Sequence, residues 1–555
     1  MLTRRARIAL WMVVLLTGLV GLVNLFSAVT PGLPNRIHWL KEIFPFEARA
    51  SGHLFAALTG FFLLALATNL LRRKRVAWLL TIALLSLSII NHLIKGWDYE
   101  EGILSAILLV MLLRMRHIFT AQSDRPSIAQ GIRVLIGALL FTLAYGTTGF
   151  YLLDRHYSAD FNAASALMQT IALFFTDDNA GLQPTTRFGR YFVNSIYIIS
   201  IVTFGYAVVM LLRPVLSHRG ASLAEQKRAQ LIVEKYGRSS LARLTLLSDK
   251  VYYFSPSGQT VIAYVSKGRT AIALGDPIGA PSDRSEAIFC FQQFCAQNDW
   301  HSVFYQTLPD DLECYQSLGF KALQIGEEAI VDLQTFTLEG KAGRNLRTPL
   351  NKLTKAGHKI EFHAPPISAE MLHELKQVSN EWLHLVQGSE KRFSVGWFDE
   401  RYLRDCEIVT IRTPTGAINA FANVISEYQL NEITIDLMRH RAEIESGTMD
   451  VLFIGMFQKF KERGYSGFNL GLSALSGVGD SKQSPPLEKG VHYLSQHLEQ
   501  FYSFQGLHEY KEKFRPRWEP RYLIYPSLAA LPDVLVGLVR VDSGDRLLDY
   551  FKPGS

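Results

Sequence analysis

Apolar residues are distributed unevenly along this chain. Within the first 215 residues they gather into long runs, and beyond Leu216 they break into short alternations and helical stripes. Six of the runs approach the roughly 20 residues that a helix needs to cross a bilayer. They are Ile8–Val29, Leu54–Leu71, Val76–Ile94, the shorter Ile103–Leu113, Ile132–Leu153 and Tyr191–Leu212. A further stretch, Ala163–Phe175, is too short to span comfortably and reads as re-entrant or interfacial. Arg4, Arg5 and Arg7, then Arg72 to Arg75, then Arg114 and Arg116 all fall on one side of such a bundle, which the positive-inside rule makes cytoplasmic. The first run is longer than the ~7–15-residue core of a cleaved leader and is read as a membrane helix. His92 and Lys95 near the end of the third run either line a pathway or snorkel to the interface.

After Leu216 the texture changes. Glu225, Lys227, Arg228, Glu234 and Lys235 mark a charged helical linker over 216–240. Strands are then predicted at Lys250–Phe254, Thr260–Ser266 and Thr270–Leu274, separated by Ser-Pro-Ser-Gly and Lys-Gly turns, as in an antiparallel meander. A helix with Ile288, Phe291, Phe294 and Cys295 on one face follows, then a strand at Ser302–Gln306, a short helix near Leu312–Ser317 and closing strands. The pattern repeats: strands at Ile408–Arg412, Ile418–Ile425 and Glu432–Met438, a helix over Gly447–Arg463, and a strand at Phe468–Leu472. The order, with the run from Tyr315 to Phe320, resembles the GNAT acyltransferases. The expected fold is therefore an N-terminal α-helical transmembrane bundle (1–215) followed by an α/β region of two tandem GNAT-like folds, 241–365 and 366–555.

Composition fits a membrane portion: 19% of residues are charged, against roughly 25% in a typical soluble chain, and 48% are hydrophobic. Lys and Arg total 57 against 50 Asp and Glu, a net charge of +7 that favours anionic partners without choosing between phospholipid and nucleic acid. The four cysteines, Cys290, Cys295, Cys314 and Cys406, show no metal-ligand spacing and are too scattered for a disulfide framework. Cys290 and Cys295 read as core thiols.

The turn after the central strand of the second half, Arg439 to Gly447, carries one glycine and two glutamates, so it lacks the glycine-rich cradle that would hold acetyl-CoA pyrophosphate. The Gly275-Asp276-Pro277-Ile278-Gly279 turn places Asp276 where an anion would sit and reads as a rigid turn. Neither a catalytic triad order nor an activated cysteine is present, which favours direct attack over an acyl-enzyme.

Several segments taken in order are similar to the catalytic domain of aminoacyl-phosphatidylglycerol synthases, the multiple peptide resistance factor family. They are Leu274 to Gly279, Ile325 to Leu333, Phe393-Ser394-Val395-Gly396, Ile435 to Arg439, Phe468 to Gly471, Tyr502 to Leu507, Tyr510 to Phe514, and Arg517 to Tyr522. The resemblance implies a multi-pass enzyme of the bacterial inner (plasma) membrane with its catalytic domain in the cytoplasm. It implies transfer of lysine, alanine or arginine from aminoacyl-tRNA to phosphatidylglycerol, and a tunnel between the halves. The partners implied are the tRNA acceptor end, phosphatidylglycerol and the bilayer, with a homo-oligomer left open. No cofactor is implied, because one ester is exchanged for another. Adding a cationic or neutral amino acid to an anionic lipid lowers membrane charge, which suggests resistance to cationic antimicrobial peptides. Transfer to a different lipid acceptor, and a flippase or transporter with a regulatory soluble domain, stand as alternatives.

Such a reaction needs a carboxylate, an anion clamp and groups for phosphate. Asp436 and Arg439, at the end of the central strand, are candidates for orienting the hydroxyl or the ammonium and for gripping phosphate; a mutual ion pair is the other reading. Glu499 is the third catalytic candidate. Lys511, Lys513, Arg517, Glu519 and Arg521 are the substrate-binding candidates, interleaved with Tyr510, Phe514 and Trp518 as suits a tRNA end or a lipid headgroup. His440 and His508 could move protons but fit structural roles as well. Arg344, Arg347, Lys352 and Lys355 read as a basic surface.

Overall fold

The computed structural model describes residues 4–29, most of 59–152, parts of 157–205, and 220–545 apart from 342, 387–389 and 479–503. The chain divides into two compact units, Met1–Val215 forming the bulk of one and Leu216–Ala296 with Trp300–Ser555 the other.

The N-terminal unit is helical, with helices at Arg4–Val29, Arg75–Gly96, Tyr99–Arg114, Arg125–Leu152 and Ala163–Ala172. Four of these carry predicted spans. Leu54–Leu71 lies partly, and Tyr191–Leu212 largely, outside the described residues. Val13, Leu63, Leu85, Leu108 and Leu112 form a fully buried seam. Unlike the helices of a soluble bundle, these also expose large apolar side chains outward, such as Leu15 and Leu19 on the first and Ile103 and Ile107 on the third. Among the described residues no helix is long and apolar enough to cross a membrane.

The second unit is built on one mixed sheet of twelve strands. The first meander, β1 (Val251–Phe254), β2 (Thr260–Lys267) and β3 (Thr270–Leu274), is followed by the two-residue β4 (Ile278–Gly279). β5 (His301–Thr307) returns parallel to β3, and β6 (Lys321–Asp332) follows. The second meander comprises β7 (Lys359–His363), β8 (Glu407–Arg412), β9 (Ile418–Ser426) and β10 (Glu432–His440). β11 (Gly467–Ala474) is parallel to β10, and β12 (Arg517–Tyr525) is the last strand. Each half thus has the meander, helix and parallel strand expected of a GNAT-like fold.

The two halves share hydrogen bonds as one surface. The order is β1-β2-β3-β5-β12-β6-β11-β10-β9-β8-β7, so the last strand of the chain enters between β5 and β6, and β6 in turn pairs with β11 of the second half. One face packs against the helices Ala369–Leu385 and Leu531–Asp542 through Ile272, Val303, Leu375, Val378, Leu523 and Val534. On the other face lies the helix Thr448–Glu462, where Leu452, Ile454 and Phe457 are fully buried, each contributing ~1.5–3 kcal/mol against exposure.

β10 and β11 pair in parallel only from Glu432 opposite Gly467 to Thr434 opposite Asn469. Beyond that point β10 bulges between Ile435 and Met438 against β9, and β11 shifts register between Asn469 and Leu472 against β6. A bulge bends its strand and re-aims side chains, and the two bulges open the middle of the sheet.

Candidate active site

Strand register places a file of polar side chains across the sheet. Ile330 of β6 lies opposite both Arg517 of β12 and Asn469 of β11, and Asn469 lies opposite Thr434 of β10. Residues directly opposite share a face, and two steps along each strand come Glu328, Glu519 and Glu432 on that same face. Of these, Ile330, Glu432, Asn469, Arg517 and Glu519, with Arg521, Glu427 and the segment Arg238-Ser239-Ser240, border a cavity of about 370 Å³.

Its inner wall is a buried network. Arg521 Nη2 lies 2.5 Å from Glu328 Oε2, with both side chains at least 95% buried. Ser240 Oγ donates to Glu328 Oε1 at 2.6 Å and Asn469 Nδ2 donates to Oε2 at 3.0 Å. Burial opposes the charge on Glu328, but the Arg521 guanidinium and these donors prevail and hold its carboxyl below the usual range. Arg517 binds Glu432 at 2.5 Å and Glu519 at 3.0 Å, and Arg521 reaches Glu519 at 3.3 Å. Three of the sequence candidates, Arg517, Glu519 and Arg521, are therefore brought together.

Asp436 sits at the β10 bulge in a network of its own. Its Oδ1 accepts from the Gly396 backbone N–H at 2.6 Å, and its Oδ2 from the Tyr402 hydroxyl at 2.8 Å. Asn423 of β9 donates to the Tyr402 oxygen at 3.1 Å and accepts from the Leu437 N–H at 2.7 Å, satisfying the bulged backbone. Burial pushes the Asp436 carboxyl up, against the pull of the Gly396 and Tyr402 bonds and of the Arg439 and Lys250 charges. Lys250 is 1% exposed, bound to Asp249 at 2.6 Å and set over the Phe393 ring at 5.2 Å; burial lowers its pKa. A buried carboxylate with an elevated proton affinity, held by fixed donors, suits proton transfer or ammonium binding.

Gly396 has a steric reason to be glycine, since a Cβ there would run into the Asp436 carboxylate. Gly396→Ala is expected to displace that carboxylate, cost about 1–3 kcal/mol in stability and lower turnover. Thermal unfolding together with the rate of the full chain checks this, and a variant with wild-type rate would show that the Asp436 position is immaterial.

Arg439 does not pair with Asp436 in hydrogen-bonding geometry. Its guanidinium takes Glu390 bidentately at 2.9 and 2.5 Å, donates to Ser379 and lies 5.2 Å from the Trp382 ring centre. At 3% exposure it is a locked cation beside the Asp436 network. Lys511 is also turned inward: Nζ donates to the carbonyls of Gly471 and Leu472 at 2.9 and 3.0 Å, satisfying β11 backbone near its register shift. Burial lowers its pKa to about 8, opposed by Glu328. Lys513 is half exposed, 3.6 Å from Asp450 and over the Tyr510 ring. Glu499 lies outside the described residues.

His508 is stacked on Trp518 at 4.2 Å with Nδ1 against Ser476, and His440 has Nδ1 2.7 Å from the Arg441 carbonyl. Asp276 accepts from the Leu308 N–H and the Tyr315 hydroxyl, and Gly275 has φ +68°, as a rigid turn requires. Arg347 reaches the backbone carbonyls of Leu338 and Gly340.

Sequence reasoning did not single out Glu328, Glu427, Tyr402, Asn423, Asp249 or Lys250. Glu328 did carry a signal, as a charged residue in the interior of an apolar strand. Tyr402 and Asn423 lacked one, because the partners that give them a role, Asp436, the Leu437 backbone and each other, lie 14 to 34 positions away; Asp249, Lys250 and Glu427 are marked only by their burial in the folded chain.

The family model for the C-terminal region of phosphatidylglycerol lysyltransferase matches residues 230–525, which include every residue of both networks. A phosphatidylglycerol lysyltransferase of Bacillus subtilis is 29% identical over 491 residues, covering 87% of this chain and 54% of that protein. One from Staphylococcus epidermidis is 36% identical over 310 residues, or 56% of this chain and 37% of that protein. The chain thus spans about half, or less, of the length of these curated relatives. Among solved structures, L-PGS from Bacillus licheniformis superposes with a TM-score of 0.51 at 35% identity, covering 57% of this chain and 96% of that one. The C-terminal domain of an Agrobacterium fabrum protein described as a lysylphosphatidylglycerol synthetase gives 0.52 at 34%, covering 58% and 97%.

Proposed function

Because this chain belongs to the phosphatidylglycerol lysyltransferase C-terminal family, we propose that it transfers a lysyl group from lysyl-tRNA to phosphatidylglycerol in a bacterial membrane. The observation that carries this reading is that the family match over 230–525 contains both the Asp436 network and the cavity walled by Arg517, Glu519 and Arg521.

In this reading the glycerol hydroxyl of the lipid attacks the aminoacyl ester carbonyl. A new ester C–O bond forms, the C–O bond to the terminal ribose of the tRNA breaks, and the hydroxyl proton passes through Asp436 to the ribose oxygen. Asp436 is suited to the shuttle because its burial raises its affinity for a proton, while Gly396 and Tyr402 fix its direction. Lys250 and Arg439 supply fixed positive potential nearby, which favours an oxyanion more than a neutral carbonyl. No energy source beyond the aminoacyl ester is required.

The outward apolar side chains of the N-terminal helices, including Leu15, Leu19, Ile103 and Ile107, support seating that unit in lipid, with the basic Arg4, Arg5, Arg72 and Arg73 side cytoplasmic. The product carries a cation in place of an anionic headgroup's net charge, and the consequence in the cell is reduced binding of cationic antimicrobial peptides.

Expression of the full chain in a bacterium that lacks aminoacylated lipids, followed by lipid mass spectrometry, tests the reading. Lysyl-phosphatidylglycerol is expected. An alanyl or arginyl ester would reassign the amino acid, and a well-expressed chain that yields no new lipid would overturn the assignment.

A further inference from the structure

The cavity contains one acidic group that its neighbours do not neutralise. Glu427 follows β9 at the turn into β10 and is 2% exposed, and its Oε1 has no hydrogen-bond partner among the described residues. Each of the other charged side chains around it has a partner of opposite sign. Arg238 pairs with Asp310, Arg517 with Glu432 and Glu519, and Arg521 with Glu328 and Glu519. Three guanidiniums therefore serve four carboxylates, and Glu427 is a fifth with none of its own.

An isolated buried carboxylate is expensive, so without a cation beside it the group keeps its proton; burial, with Glu328 and Glu432 adding repulsion, lifts its pKa to about 8 against the opposing effects of Arg521 and Asn469. The missing element is a cation. A metal ion does not fit, because no described group of three His, Cys, Asp or Glu side chains is arranged to hold one. A guanidinium would want two carboxylate oxygens presented side by side, whereas a primary ammonium needs separate acceptors, such as the unpartnered Glu427 Oε1 together with the Glu432 and Glu519 carboxylates that border the same cavity. At about 370 Å³ the cavity lies at the small end of ligand pockets and suits an amino-acid side chain.

We infer that this cavity is a primary-ammonium subsite in which Glu427, with Glu432 and Glu519, receives the side-chain ammonium of the transferred lysyl group. The assignment rests on the lysyl-transfer reading above and deepens it, since it names the residues that would distinguish lysine from an uncharged amino acid. Binding then ionises Glu427: the carboxyl loses its proton to solvent as the ammonium arrives, and the resulting ion pair is buried.

The test uses 1,5-diaminopentane, which has the lysine side chain's length and amine and stays protonated below about pH 9. Calorimetric titration of the full chain in lipid nanodiscs at pH 6.5 and 8.5 is expected to show binding tighter at the higher pH by on the order of twentyfold, because Glu427 is mostly protonated at the lower value. Arg238, Asp310, Glu432, Arg517, Glu519 and Arg521 also border the cavity, each in an ion pair, and Glu328 stands behind them paired to Arg521. Lys511, lowered by burial to about 8 and coupled to Glu328, loses charge in the same interval, so the Glu427→Gln comparison separates its contribution from that of Glu427.

Glu427→Gln should weaken binding at pH 8.5 at least tenfold and abolish the pH dependence, and Glu427→Asp should restore part of both. Binding that is pH-independent and indifferent to Glu427→Gln would overturn the subsite, and should that variant fail to fold, the conservative Glu427→Asp carries the comparison, with unchanged affinity and pH dependence overturning it. Lysyl-lipid synthesis in the same preparation separates the two levels. An unchanged KM for lysyl-tRNA in Glu427→Gln removes the subsite and leaves the reaction standing. A wild type that binds the diamine with the expected pH dependence but makes no lysyl lipid removes the reaction and leaves a cation site.

Discussion

Replacement of Asp436 by asparagine is expected to slow formation of the aminoacyl lipid by about 10²–10⁴-fold, with the folded chain preserved. The substitution keeps shape and one acceptor, so the Gly396 N–H retains its bond, and the amide nitrogen replaces the oxygen that faces the Tyr402 hydroxyl. Tyr402 also accepts from Asn423, so its hydroxyl must turn to suit a second donor. What is lost outright is the ability to take and release a proton. The measurement is single-turnover transfer from pre-charged lysyl-tRNA to phosphatidylglycerol by the purified full chain, beside its thermal unfolding. A rate within a few-fold of wild type at unchanged stability would remove Asp436 from the chemistry, and a large fall in unfolding temperature would make it a structural anchor of the β10 bulge.

Arg521→Met is expected to destabilise the second unit by about 3–5 kcal/mol, because it leaves Glu328 charged and unpaired inside the sheet. Replacing both, Glu328→Met with Arg521→Met, should recover most of that loss, since the cost comes from an unpartnered charge and not from a missing contact. Chemical denaturation of the single and double variants measures the difference; equal losses in both would mean that the pair's packing, not its charge, is what matters.

The pH dependence has a definite sign. The folded-state pKa of Glu328 is depressed, so its contribution is present above the ordinary glutamate value of about 4.3 and is lost as pH falls through the lower folded value. Acid destabilisation from this group is thus confined to pH below about 4. In Arg521→Met the cation is gone and burial dominates, so the same carboxyl should instead destabilise the fold as pH rises above about 4.

Local pattern was sufficient for much of this molecule. The first meander, β8 to β10 of the second, the helices Arg284–Gln297, Leu312–Ser317 and Thr448–Glu462 and the parallel returns at β5 and β11 appear where alternation, turn residues and helical stripes placed them, because those signals report which side of a short segment is buried; β7 and the helices Arg344–Lys355 and Ala369–Leu385 were not read from the pattern. Position within one strand was legible in the same way. Asp436 lies in β10 just past the point where its pairing with β11 stops, and Arg517, Glu519 and Arg521 fall on one side of β12 because a strand's side chains alternate.

Long-range pairing was beyond that reach. Periodicity does not tell a strand which neighbour it will find, so nothing local announced that β12 would enter between β5 and β6 and join both halves into one surface. That insertion decides the cavity. It brings Arg521 to Glu328, 193 positions earlier, while the β9–β10 turn delivers Glu427 beside them. Tertiary packing likewise gave Arg439 to Glu390 instead of Asp436, and turned Lys511 from the surface to the carbonyls of β11. Sequence determined the elements and the residue types available to the reaction, because burial preference and turn chemistry act over a few residues. Which charges meet, and which one is left without a partner, was settled only by sheet order, since a side chain's electrostatic neighbours are fixed by space and not by position along the chain.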